Sequence, residues 1–153
     1  MKRCVQCQGE TLVKTVAEDS VTVAGRTFTA SMPATKCARC GETSFHGSDL
    51  ADLELKVAAI IAREGPSDGE TFKYMRKTFG LRAVDLAQLL DVAPETLSRW
   101  ENAQRPVDRA CWVTLSAMVL DQLEGRTSTL DRLKALLKPE PRPKLVRLVP
   151  RPA

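Results

Sequence analysis

Apolar residues recur along this chain at two different spacings, and the spacing changes near residue 48. Before it, residues 11–17 and 27–32 are rich in Thr, Val and Phe, with a turn at Gly25-Arg26 between them. Short β-branched and aromatic runs bounded by turn residues predict strands, here a small antiparallel sheet with a thin core. After it, Leu50, Leu53, Val57, Ile60 and Ile61 recur at helical spacing through Arg63, with Ser48 as the expected N-cap and Asp49 and Asp52 favouring the helix dipole. Gly65-Pro66-Ser67-Asp68-Gly69 interrupts the pattern and reads as a linker. Beyond it every apolar pattern has the helical period, predicting helices at 70–79, 83–90, 94–102, 108–124 and 128–137. Pro139, Pro141, Pro143, Pro150 and Pro152 then preclude a helix and predict a basic, extended, disordered tail.

Cysteine placement changes the picture of the first segment. Cys4/Cys7 and Cys37/Cys40 form two Cys-x-x-Cys pairs. Each such turn aims two thiolates at one centre, and two of them complete a tetrahedral four-sulfur shell with Zn–S bonds of about 2.3 Å. Gly9 and Gly41, close behind the pairs, are expected to let the backbone curl over the metal with positive φ. Disulfides and an iron centre of rubredoxin type are the alternatives, since iron also accepts a tetrahedral sulfur shell. With all four positions filled by Cys, no position is open for a catalytic water, so one structural Zn²⁺ per chain is expected, its binding folding the segment. His46 lies outside the shell as a surface or packing residue, and Cys111, in an apolar run, is expected to be a buried thiol.

The fold class is therefore α+β: a small N-terminal zinc-ribbon β domain with a trailing helix over residues 1–64, a linker at 65–69, an all-α five-helix domain over 70–137 and a tail at 138–153. No apolar run approaches the 18 or more residues a membrane span needs, about 27 Å or more of helix. Met1-Lys2-Arg3 leads straight into the first cysteine turn with no apolar signal core, so a cytoplasmic protein is expected. The formal net charge of +4 resides in the tail, where Lys138, Arg142, Lys144, Arg147 and Arg151 face only Glu140, leaving the rest of the chain neutral. A nucleic-acid argument from charge would rest on the tail alone; the better argument comes from a motif.

Residues 83–100 have the spacing of a helix-turn-helix. Leu86, Leu90, Val92, Leu97 and Trp100 fall where two crossed helices bury a common face, and Ala87 falls at their closest approach. Asp91 holds the turn position usually given to Gly and tolerates a left-handed backbone, and Pro94 suits the first position of the second helix. With Leu97 and Trp100 inward, Glu95, Thr96, Ser98 and Arg99 face outward. Arg99 can present two donors to guanine O6 and N7, Thr96 and Ser98 can reach a base edge or a phosphate, and Glu95 can accept from cytosine N4. Lys73, Arg76 and Lys77 on the preceding helix form a basic patch expected over the DNA backbone.

Leu86-Ala87-Gln88-Leu89-Leu90 followed by Leu97-Ser98-Arg99-Trp100-Glu101-Asn102 resembles the Cro/repressor, or Xre-type, helix-turn-helix. Together with the four-cysteine ribbon ending in Cys40-Gly41-Glu42, the arrangement over residues 4 to 137 resembles the MqsA family of antitoxins. The chain departs from that pattern at Arg82-Ala83, where Thr-Gln often stands, and at Ala103, where Gly is usual. The resemblance implies a homodimer joined through the helical domain, a zinc domain that holds a cognate RNase toxin, and autorepression through a palindromic double-stranded DNA operator. Within the helical domain, Val113, Ala117, Leu120 and Leu123 are the expected dimer seam. A stand-alone zinc-ribbon regulator without a toxin is the alternative, and an iron redox protein would leave the helix-turn-helix unexplained. No nucleophile and base pair is assembled by these residues, which points away from an enzyme.

Overall fold

The computed structural model describes residues 3–66 and 68–149. Ser67 of the expected linker, Pro150, Arg151, Pro152 and Ala153 of the expected tail, and Met1-Lys2 lie outside the described residues. Among the described residues the architecture is α+β, a three-stranded antiparallel sheet followed by six helices.

Strands β1 (Leu12–Val23) and β2 (Arg26–Cys37) form a hairpin, and β3 (Thr43–Phe45) pairs with the end of β2, giving the order β1-β2-β3. The hairpin is longer than the Thr- and Val-rich runs predict, twelve residues on each side. Its turn is Ala24-Gly25, with φ of 49° and 75°; two positive values in a two-residue loop match the right-handed twist of the flanking strands. The register sets Val21 opposite Phe28 and Ala17 opposite Met32, so one face collects Val21, Val23, Phe28, Ala30 and Met32 for the core. The opposite face is polar, and its Thr22 and Thr27 hydroxyls meet at 3.1 Å.

Helix α1 (Gly47–Glu64) starts two residues earlier than expected. His46, not Ser48, caps it: Nδ1 accepts from the Ser48 backbone N–H at 3.3 Å and lies 2.7 Å from its hydroxyl. The helices that follow are α2 (Gly69–Phe79), α3 (Ala83–Leu89), α4 (Pro94–Glu101), α5 (Arg109–Leu123) and α6 (Ser128–Leu137), each within a residue or so of its predicted span. The start of α2 is fixed by reciprocal capping, with Asp68 Oδ1 accepting from Thr71 N–H at 2.8 Å and Thr71 Oγ1 accepting from Asp68 N–H at 3.3 Å. At its first residue only glycine fits, because a Cβ on Gly69 would lie 1.8 Å from the Trp100 carbonyl oxygen.

Apolar packing is continuous across the two sides of residues 65–69. Helix α1 lies against α5 and α2 as well as the sheet, with Ala58 and Ala59 fully buried. One apolar core runs from Val23 and Met32 of the hairpin through Leu53 and Val57 to Phe72, Leu97 and Trp112. Phe72 is the aromatic hub, edge-on to Trp100 at 6.0 Å and tilted against Trp112 at 6.1 Å. Polar ties cross the same seam: Arg26 pairs with Glu64, and the Ala24 N–H donates to Glu70 Oε1 at 3.0 Å. The helices on either side thus share one core, because Leu53, Val57 and Ile61 need more apolar cover than three strands supply.

Helix α6 contributes no buried residue and is held by its start. Asp121 of α5 accepts from Thr129 N–H at 2.8 Å, Thr129 Oγ1–H at 2.8 Å and Ser128 Oγ–H at 2.9 Å, and meets Arg126 at 3.3 Å. The Thr129 backbone N–H first, then the two hydroxyls, hold the Asp121 carboxyl down at about 2. A carboxylate lowered in the folded state stabilises above its unfolded value of about 4 and loses that contribution as pH falls through the folded value. The stability advantage of the unaltered chain over Asp121→Asn is therefore expected to be full at pH 6 and to shrink from about pH 4 down toward pH 2, as read by urea midpoints at stepped pH.

Candidate metal centre and nucleic-acid interface

The two cysteine turns fold alike. Gln8 N–H donates to Cys4 C=O at 2.9 Å, and Gly41 N–H donates to Cys37 C=O at 2.9 Å, so each turn closes on the residue after its second cysteine. Those residues carry the left-handed backbone, Gln8 at φ 59° and Gly41 at φ 78°. Gly9 does not share it, contrary to the expectation from sequence. Its role is close approach: a Cβ there would sit 3.2 Å from Cys7 Sγ and 3.3 Å from Cys37 Sγ.

All four Sγ atoms lie within 4.8 Å of one another, with Cys4–Cys40 at 3.7 Å and Cys7–Cys37 at 3.6 Å. A tetrahedral shell with bonds of about 2.3 Å has sulfur–sulfur edges of about 3.8 Å, whereas a disulfide needs about 2.05 Å. The spacing therefore fits a metal ion and not a bridge. Backbone N–H groups of Cys40 and Arg39 lower the Cys37 thiol to about 6. The Glu42 backbone hydrogen bond also lowers Cys40, yet hydrogen bonds with Cys7, Cys4 and Cys37, together with desolvation, leave it pushed up to about 12. Four thiols this close cannot all ionise beside one another without a cation, and a divalent ion removes that conflict. Cys111 stands apart, half-buried on α5, its thiol raised to about 11 first by burial and then by Asp108.

The helix-turn-helix is built from α3, the turn at Asp91 and α4. Leu86, Ala87, Leu97 and Trp100 are buried where the motif requires a shared face. Asp91 has φ 54°, the left-handed value its turn position demands, and Val92 N–H reaches Ala87 C=O at 3.0 Å. Ala103, in the position where Gly is usual, also adopts a left-handed backbone at φ 56°; for a residue with a Cβ that costs roughly 1–2 kcal/mol. Glu95, Ser98 and Arg99 are exposed on α4 and Thr96 is half-buried. Ser98 is partly engaged, its Oγ accepting from Asn102 Nδ2 at 3.3 Å. Arg99 thus projects between two buried neighbours, and its guanidinium has no side-chain partner among the described residues.

The basic patch on α2 divides. Lys77 is exposed and Lys73 half-buried, but Arg76 is not on the open face. Its Nε donates to Glu101 Oε1 at 2.6 Å, Nη2 to Glu101 Oε2 at 2.9 Å and Nη1 to Leu81 C=O at 2.8 Å, with side chains only 8 % and 6 % exposed. A guanidinium sealed from water and paired with a carboxylate in this way is not presented to a phosphate. Glu101 is the site residue that sequence reasoning missed. The signal was present: Phe72, Met75, Arg76 and Phe79, like Leu97, Trp100 and Glu101, fall at the spacings of an inward stripe.

Residues 72–109 match the model of the Helix-turn-helix family. No curated protein and no solved structure matches the chain. The matched segment begins in α2 and ends at the start of α5, so it includes the Arg76–Glu101 pair and all of α3 and α4. It supports a DNA-binding transcriptional regulator. Among the described residues no helix is long and apolar enough to cross a membrane.

Glu101→Ala would strand the Arg76 charge in the core and is expected to cost about 3–5 kcal/mol of folding stability, whereas Arg76→Met with Glu101→Leu should lie near the unaltered chain or above it. Denaturant midpoints of the two variants separate a structural ion pair from a phosphate contact, for which Arg76→Met alone would be nearly silent in the absence of DNA.

Proposed function

We propose that this chain is a sequence-specific DNA-binding repressor, and most specifically the antitoxin of a type II toxin–antitoxin pair that represses its own operon. The observation that carries the DNA-binding reading is Arg99, exposed on α4 between buried Leu97 and Trp100, inside the segment that matches the Helix-turn-helix family. In this reading α4 enters the major groove. Arg99 reads a guanine edge, Glu95, Thr96 and Ser98 contact neighbouring bases or phosphates, and Lys73 and Lys77 lie along the backbone. The antitoxin reading rests on the layout of four-cysteine ribbon plus Xre-type motif, and assigns an RNase toxin to the ribbon end.

Cys4, Cys7, Cys37 and Cys40 would hold one zinc ion, which supplies a cross-link and no open coordination position. The chain is proposed to act as a homodimer through its helices, placing two copies of α4 about 34 Å apart, one turn of DNA, or a multiple of that. The expected seam along α5 needs adjustment. Leu120 and Leu123 pack against the core, while Val113 remains 63 % exposed, so the free apolar surface lies at the start of α5 and along α6. A toxin reading frame beside this gene, and co-purification of its product with the full chain, separates the antitoxin from a stand-alone regulator.

Arg99→Ala should leave the fold unchanged. A bidentate guanine contact would lose about 1–3 kcal/mol per half-site at one base pair, whereas a phosphate contact would weaken every sequence alike and reduce the salt slope by about one. Unchanged affinity in titrations across operator variants and salt would remove α4 as the reading helix.

Elemental analysis is expected to find one zinc per chain. Cys37→Ser should abolish that zinc and, because α1 is shared between sheet and helices, also lower the thermal midpoint read by helical circular dichroism. A helical transition untouched by loss of the metal would contradict the continuous core.

A further inference from the structure

The last described residues carry the largest exposed apolar side chains outside the folded body. Leu145, Val146, Leu148 and Val149 are 64–92 % exposed. Lys144-Leu145-Val146-Arg147-Leu148-Val149 repeats every third residue: cation, Leu, Val. In a polyproline II conformation, with three residues per turn, this repeat makes a three-edged rod with one cationic edge and two aliphatic edges. The preceding Pro139, Pro141 and Pro143 favour that conformation, and such a rod buries its aliphatic edges only against another surface.

A surface of that shape exists on the same molecule. Between the end of α3, the start of α5 and α6 lies an open groove of about 430 Å³, floored by Leu89, Leu90, Ala110, Cys111, Leu133 and Leu136. Leu136 is 76 % and Leu137 43 % exposed, and Val113 is open on the same helix as Cys111. Asp91 is the one acidic residue among the lining residues, suited to Lys144 or Arg147. The groove is empty of its own arm, whose side chains stay in solvent.

We infer that residues 144–149 of one copy seat in the α3/α5/α6 groove of a second copy. The spacer decides for the second copy. The groove ends at Leu137, where the arm begins, and the seven residue steps from Lys138 to Leu145 extend about 22 Å at about 3.1 Å each. Three prolines in that stretch oppose the reversal needed to return to the adjacent groove, but carry the aliphatic edges outward to a neighbour. This deepens the proposed dimer and rests on it. It makes the arm a clasp beside the turn of the DNA-reading motif.

The test uses the full chain beside a chain ending at Lys138 and a Leu136→Glu variant, whose site is too exposed to unsettle the fold. Sedimentation should show a dimer for the full chain and a dissociation constant raised roughly tenfold or more in both alterations. In the zinc-loaded full chain, Leu148→Cys should form a disulfide under mild oxidation with Cys111 of the other copy, identified by peptide mass spectrometry on mixed isotopic labels. A Cys111 link within one chain, or no link together with unchanged dimerisation of the shortened chain, overturns the clasp and leaves the helical dimer standing. A monomeric full chain overturns the dimer itself, and the clasp with it.

Discussion

Helix α1 has apolar or small residues around most of its circumference, and its burial is the constraint on which the rest of the structure depends. Leu53, Val57 and Ile61 are each worth about 1.5–3 kcal/mol when removed from water, and the sheet alone offers them one thin face. Ala58 and Ala59 let the helix approach α5 and α2 closely on its other side. The hairpin thus gains a support, and the helical layer gains a sixth member. The four-cysteine corner lies at the far end of the hairpin from the Ala24-Gly25 turn that meets α2. What the cysteines stabilise is therefore transmitted through two twelve-residue strands.

Within the helical layer, the Arg76–Glu101 pair ties α2 to the end of α4. Both charges are nearly sealed from water, and the guanidinium is satisfied by the Glu101 carboxylate and the Leu81 carbonyl. An apolar pair would hold the helices as firmly or more so. The ionic pair adds a direction, since its forked hydrogen bonds permit one orientation of α4 relative to α2. Gly69, pressed against the Trp100 carbonyl, fixes the same junction from the other side. The face that carries Glu95, Ser98 and Arg99 is set by these two contacts, neither of which lies on it.

The cysteine turns and the helix-turn-helix are legible from sequence because each is a local arrangement. Cys-x-x-Cys closes on itself by short-range backbone hydrogen bonds, and a 3.6-residue period sorts Leu97 and Trp100 from Ser98 and Arg99 without reference to the rest of the chain. Helix spans, the Asp91 turn and the end of helix at Lys138 follow from the same short-range chemistry. The composition around Glu18-Asp19-Ser20 hides the middle of β1, since those polar residues belong to a strand only once β2 pairs with them.

What tertiary structure alone decided concerns partners distant in sequence. Arg76 reads as a surface cation until Glu101, 25 residues away, is brought beside it and water is excluded. His46 becomes a cap in preference to Ser48 because β3 delivers it at the start of α1, and Gly9 proves necessary through contact with Cys37 rather than through its own φ. The stretch 65–69 has every local mark of a linker, yet it joins two parts of one core. Periodicity states which side of a helix is apolar; the neighbour that covers it is chosen by whole-chain packing, in which all apolar faces must be buried at once.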